Sequence, residues 1–135
     1  MSDATMSMFS VIIPLYNKAP YVRKTLESVL GQTFGDYELF VIDNGSTDGS
    51  SKILASFDDP RIRICRLEKN VGVSKARNLG VRLSGEETFR SPYITFLDAD
   101  DWWEPTFLEE MAGIIERHPE ACIYGAGYYI VKNGK

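Results

Sequence analysis

The sequence predicts an α/β domain, with a Rossmann-like, mostly parallel sheet and helices on both faces. Three observations predict it. Short runs rich in β-branched and aromatic residues alternate with longer segments of helical periodicity, which is the pattern of βαβ units. Polar clusters stand directly behind three of those runs, where strands of such sheets open onto a ligand crevice. Finally, 135 residues, 44% of them hydrophobic, suit one globular domain with a single core.

Taken in order, "FSVIIPLY" is a β-branched run that Pro14 is expected to stop. After "NKAP", the segment "YVRKTLESVLGQ" sets Val22, Leu26, Val29 and Leu30 on one helical face. "YELFVI" reads as a fully buried strand. "DNGSTDGS" then offers turn and cap chemistry ahead of "SKILASF", where Ile53, Leu54 and Phe57 keep helical spacing. "RIRICRL" alternates charged with apolar residues, as an edge strand does, and "NVGVSKARNLGVRLS" lines up Val73, Ala76, Leu79, Gly80 and Leu83. "YITFL" is the fourth strand. Pro105 suits the first helical position of "TFLEEMAGIIERH", which buries Phe107, Leu108, Met111, Ile114 and Ile115 and keeps acids early and Arg117 late. "ACIYGAGYYIV" reads as a fifth strand.

Composition excludes several classes of partner. A net charge of −4 provides no broad basic surface, so nucleic acid is not an expected partner. No apolar run reaches the 18 or so residues of a membrane span, and "MSDATMSM" lacks the features of a secretory signal, so the expected location is cytoplasmic. Cys65 and Cys122 have no C-x-x-C spacing and read as small buried thiols.

The chemistry lies in the strand exits. "DADD" presents Asp98, Asp100 and Asp101 on a chain leaving a strand, where carboxylates separated by one residue can hold Mg²⁺ or Mn²⁺ together with the phosphates of a nucleotide. The same acids can instead end the strand and cap the following helix. In "DNGSTDG", Asp43 and Asn44 stand where a carboxylate or amide can meet the edge of a base, and Gly45 permits a tight turn. Ser46, Thr47 and Asp48 read as turn and cap residues. Lys75 and Arg77, beside Gly72, suit either phosphate charge or plain solvation. Trp102 and Trp103 suit a sugar floor or packing under the last helix, and His118 a helix end.

In their order along the chain, "SVIIPLYN", "ELFVIDNGSTDGS", "NVGVSKARNLG" and "YITFLDADD" closely resemble the amino-terminal, nucleotide-binding half of family 2 glycosyltransferases, inverting enzymes of the GT-A fold. The resemblance runs from about Phe9 to Lys135. It implies a metal-dependent transferase that passes a sugar from a nucleotide-diphosphate sugar, with a UDP-sugar favoured and a dTDP-sugar an option, to an acceptor hydroxyl with inversion. By the family pattern, Pro14, Leu15 and Tyr16 line the base pocket, with Tyr16 beside the ring. Asp43 and Asn44 border the base, and Lys75 and Arg77 run beside the nucleotide. Asp98, near the ribose or the metal, and Ala99 belong to the nucleotide-binding set, and Asp100 with Asp98 holds Mn²⁺ or Mg²⁺.

Asn44 stands where the family usually has an acid. An amide can still take the N3 proton of uracil or thymine, but it discriminates less by charge. The family draws its catalytic base from a later region, so the base is expected beyond Lys135. On this reading residues 1–8 are a flexible N-terminus, and residues 9–135 are a nucleotide-sugar-binding domain from a longer enzyme, inactive alone. The expected partners are the donor and, for the full enzyme, a saccharide or lipid-linked acceptor. That enzyme can work at the inner face of a membrane, and an oligomer is left open. Three rival classes are a metal-dependent nucleotidyltransferase, which calls for a glycine-rich basic loop where this chain has "PLYNKAPY", a phosphoacceptor signalling domain, which calls for a lysine after a late strand and no base-binding cluster, and a non-catalytic nucleotide-binding module.

Overall fold

A computed structural model describes residues 7–86 and 91–125. The elements run β1 (Phe9–Leu15), α1 (Ala19–Leu30), β2 (Tyr37–Asp43), α2 (Ser50–Ala55), β3 (Ile62–Arg66), α3 (Val73–Ser84), β4 (Tyr93–Phe96) and α4 (Phe107–Arg117). The four strands are all parallel and lie in the order β3-β2-β1-β4. β1 is therefore central, and its residues are buried along its whole length, so it reads as an unbroken apolar run rather than an alternating one.

The two faces of β1 serve different layers. Val11, Ile13 and Leu15 join Leu39 and Val41 of β2 in the main core, together with Val22, Leu26 and Val29 of α1, Leu54 of α2, and Leu108, Met111 and Ile115 of α4. Each such side chain contributes about 1.5 to 3 kcal/mol by leaving water. α3 packs on β1 and β2. Its Gly80 faces Ile12, where a Cβ would stand 2.5 Å from Ile12 Cγ2, so only glycine lets the helix come this close.

Pro14 does not stop β1: the strand continues to Leu15, and Pro14 pairs with Ile42. In a parallel strand the N–H and C=O of one residue point to the same side, and the Ile12 carbonyl accepts from Leu97 N–H on the β4 side. Pro14 therefore turns its missing donor toward that same side, beyond β4's last paired residue, Phe96. β3 is an edge strand, as its charge alternation requires.

Other expectations need correction. α4 begins at Phe107 behind Thr106 as N-cap, so Pro105 lies before the cap and not at the first helical position, and its carbonyl accepts from Thr33 N–H at 2.9 Å. Val73 is exposed although it keeps helical register with Ala76 and Gly80. Cys65 is half-buried and Cys122 exposed, both free, so neither is a buried thiol. The fifth strand is not formed over residues 121–125, and its remainder lies outside the described residues. Met8 packs against the core and accepts from Tyr93 N–H at 3.2 Å, while residues 1–6 lie outside the described residues.

Candidate functional site

The chain steps from β1 to β2 to β3 in one direction, then α3 returns it to β4 on the other side of β1. The sheet thus has its switch point between β1 and β4, where a crevice opens at the carboxyl ends of the strands. A cavity of about 380 Å³ lies there. Pro14, Leu15 and Tyr16 from the end of β1 form one wall, Asn44 and Asn70 another, and Val73 and Arg77 of α3 a third, with Asp98, Ala99, Asp100 and Lys18 closing the rim. Tyr16 is 42% exposed, its ring open to a ligand.

The loop behind β2 holds its neighbours. Asp43 is fully buried and does not border the cavity: its carboxylate accepts from Ser46 N–H at 3.1 Å and from the Ser51 hydroxyl, and Arg66 lies 3.9 Å away. Asn44 Oδ1 accepts from Val71 N–H at 2.9 Å, while Nδ2 donates to Asn70 Oδ1 at 3.2 Å and Gly72 O at 3.3 Å. Both amide hydrogens and one acceptor position are thereby committed to the segment that starts α3. Gly45 has φ 76°, and a Cβ there would sit 2.6 Å from the Lys69 carbonyl carbon, so this closeness demands glycine. On its other side the loop grips β1's exit. Ser46 Oγ accepts from Asn17 N–H at 3.0 Å, Thr47 N–H donates to Asn17 Oδ1 at 2.7 Å, and Asp48 Oδ2 accepts from Ala19 N–H at 2.9 Å. The Ser50 hydroxyl donates to Asp48 at 2.6 Å, and this bond chiefly holds the Asp48 carboxyl below its ordinary pKa.

The acids converge behind β4. Asp98, Asp100 and Asp101 can each bring one carboxylate oxygen within 4.8 Å of the others. Burial first, then the charges of Asp100 and Asp98, raises the Asp101 pKa. This hard oxygen set suits Mg²⁺ or Mn²⁺. Two cations face it: Arg77 Nη2 donates to Asp98 Oδ1 at 2.9 Å, and Lys18 Nζ lies 3.4 Å from Asp100 Oδ2. Lys75 is exposed on α3 and does not border the cavity. Trp103 stacks on Phe107 with ring centroids 4.6 Å apart, and Lys24 Nζ lies 3.7 Å from the Trp102 ring centroid, so both indoles have packing roles.

Sequence reasoning missed the residues that hold this loop. The Thr25 hydroxyl, buried on α1, lies 2.6 Å from the Asp101 carbonyl and 2.9 Å from that of Ala99. Ser28 Oγ accepts from Trp103 N–H at 3.2 Å. Gln32 Nε2 donates to Glu104 O at 2.6 Å, and Gln32 Oε1 accepts from Leu108 N–H at 2.9 Å. The available signal was a polar stripe at helical spacing beside the apolar face of α1. Lys18 was missed as well, since a lone lysine in a loop reads as solvated.

Comparisons with known proteins agree with this geometry. The family described as Glycosyl transferase family 2 matches residues 10–135. The chain is 38% identical over 122 residues to "Glycosyltransferase GlyA" of Streptococcus pneumoniae, covering 89% of this chain but 16% of that protein. It is 43% identical over 110 residues to "Minor teichoic acid biosynthesis protein GgaA" of Bacillus subtilis, covering 77% of this chain and 24% of the relative. Among solved structures, S. aureus TarS in complex with UDP-GlcNAc superposes with a TM-score of 0.74 at 30% identity, over 82% of this chain and 32% of that one. The chain thus spans a minor part of each of these three proteins. With its parallel sheet and strand-end cavity it has the Rossmann-like arrangement of the GT-A fold, and it belongs to glycosyl transferase family 2.

Proposed function

We propose that this chain is the donor-binding half of an inverting, divalent-metal-dependent glycosyltransferase that uses a UDP-sugar, with a dTDP-sugar as the nearest alternative. One observation carries the reading: the strand-end cavity brings an open aromatic ring, Tyr16, into the same 380 Å³ space as the acids Asp98 and Asp100 and the cation Arg77. A base, a ribose and a diphosphate need these groups together. The likeness to TarS, solved with UDP-GlcNAc, supports the uridine choice.

In this reading Tyr16 stacks on the base, Pro14 and Leu15 shape the wall behind it, and Asn44 fixes the rim. Asp98 and Asp100 hold the ion, which when bound neutralises charge on the departing diphosphate. Arg77 turns its guanidinium to the phosphates, which it can bind through two parallel hydrogen bonds. The cavity's two carboxylates are both committed to the ion, so the base that takes the acceptor's proton is not among the residues bordering it. On this reading the 135-residue chain alone binds nucleotide without transferring sugar. A cytoplasmic setting fits a nucleotide-sugar donor, and no described helix is long and apolar enough to cross a membrane.

Calorimetry tests this. UDP should bind about ten-fold or more tightly with Mn²⁺ than with EDTA, a charge-assisted contact being worth about 1.5 to 3 kcal/mol. Asp100→Ala should remove that increment. Equal UDP affinity in wild type and in a folded Asp100→Ala protein would overturn the metal role, and tighter binding of ADP than of UDP would overturn the base.

A further inference from the structure

Lys18 occupies a place that the nucleotide site does not explain by itself. It is the N-cap residue of α1, and its backbone is fixed: its N–H donates to Ser50 Oγ at 3.2 Å, and its carbonyl accepts from Tyr21 N–H at 2.9 Å and Val22 N–H at 2.8 Å. Its side chain is 42% exposed, borders the cavity and ends 3.4 Å from Asp100 Oδ2. The anchor is rigid and the arm is free to swing. Arg77, exposed to a similar degree, differs in its contact, a 2.9 Å hydrogen bond to Asp98 from α3.

Resting on the donor-site reading above, we infer that Lys18 is a diphosphate-binding residue that neutralises Asp100 until the divalent ion arrives. A doubly charged ion held by Asp98 and Asp100 repels the ammonium group from Asp100 at close range. The diphosphate, on the same rim, then becomes the strongest anion within the reach of the four-carbon arm. Metal and nucleotide each favour the same position of Lys18, so each raises the affinity for the other by the same factor. The ion alone must displace Lys18 without recompense, and nucleotide alone must draw it from Asp100.

Titration of the 135-residue chain with Mn²⁺ alone, UDP alone, and each in the presence of the other measures this coupling. Lys18→Gln should bind Mn²⁺ alone about two- to five-fold more tightly, the range expected on freeing a carboxylate from an exposed ion pair. It should bind UDP in the presence of Mn²⁺ about ten-fold more weakly, having lost a charge-assisted phosphate contact. Lys18→Arg should keep most of the coupling. Lys18→Gln behaving as wild type in all four titrations would overturn the inference alone, as would weaker UDP binding with unchanged Mn²⁺ affinity, which would leave Lys18 a phosphate ligand only. If wild type binds no UDP even with Mn²⁺, the donor-site reading itself falls, and this inference with it.

Discussion

Asn44 Oδ1 accepts from the backbone N–H of Val71 at 2.9 Å, although the two residues are 27 positions apart in sequence. With Nδ2 bonded to Gly72 O, the amide ties the exit of β2 to the start of α3, the helix that carries Arg77. Asn44→Asp removes two donors and sets a negative charge against a carbonyl; Asn44→Ala leaves a backbone N–H unpaired. Each should cost about 1 to 3 kcal/mol in urea unfolding. Each should also weaken UDP and ADP alike, because the loop moves. A loss confined to UDP, with stability unchanged, would mean that Asn44 reads the base directly.

Gly80→Ala should destabilise the chain by about 1 to 3 kcal/mol, since the new Cβ meets Ile12 on the central strand and α3 has to back away. The same shift withdraws Arg77, so UDP affinity should fall with stability. A neutral result in both measurements would show that α3 seats on the sheet more loosely than this.

Tyr37 is buried, and burial pushes its pKa up to about 12 despite the Arg61 charge beside its ring. Its hydroxyl donates to Val29 O at 2.8 Å, which requires the proton. Because the folded pKa lies above the ordinary value near 10, the tyrosine's full contribution is present below pH 10. It is lost as pH rises toward 12, by about 2 to 3 kcal/mol in all. Tyr37→Phe should be less stable at pH 8 but should lose less between pH 10 and 12. Parallel alkaline unfolding curves for the two proteins would refute this.

Thr25→Val should leave α1 intact yet free the Asp101 and Ala99 carbonyls of their hydroxyl partner. A cost of about 1 to 3 kcal/mol is expected for the unpaired buried groups. Mn²⁺ affinity should fall although no ligand atom has changed. Unaltered Mn²⁺ binding would show that Asp98 and Asp100 are held by other contacts.

Much of this architecture was legible because strong local rules agree with the fold. The apolar runs of β1 and β2 announce buried parallel strands, and the charge alternation of β3 announces an edge. Polar clusters at strand ends, together with the family resemblance, pointed to the crevice. Two of the misreadings, Pro14 and Val73, share a cause, in that each depends on which side of an element something faces. Pro14 stays in β1 because its missing donor points where β4 has already left the sheet. Val73 keeps helical register with core residues yet faces the cavity, and periodicity cannot tell a core from a cavity wall. Thr25 and Ser28 on α1, and Gln32 just past its C-cap Gly31, give no sign of their role in the sequence, because their partners lie some seventy residues on. Pairings at that range leave no local trace.

The stripe on α1 has a consequence for how such a site can change over time. Its bonds reach the Ala99, Asp101 and Glu104 carbonyls and the Trp103 and Leu108 N–H groups, all of them backbone. The anchoring is therefore indifferent to which side chains the segment bears. Asp100 and Asp101 can be exchanged while the path of the chain survives, so new ion preferences are open to single substitutions there. Thr25, Ser28 and Gln32 have no such freedom. The variability tolerated at the mouth of the cavity thus depends on constancy in a helix away from it.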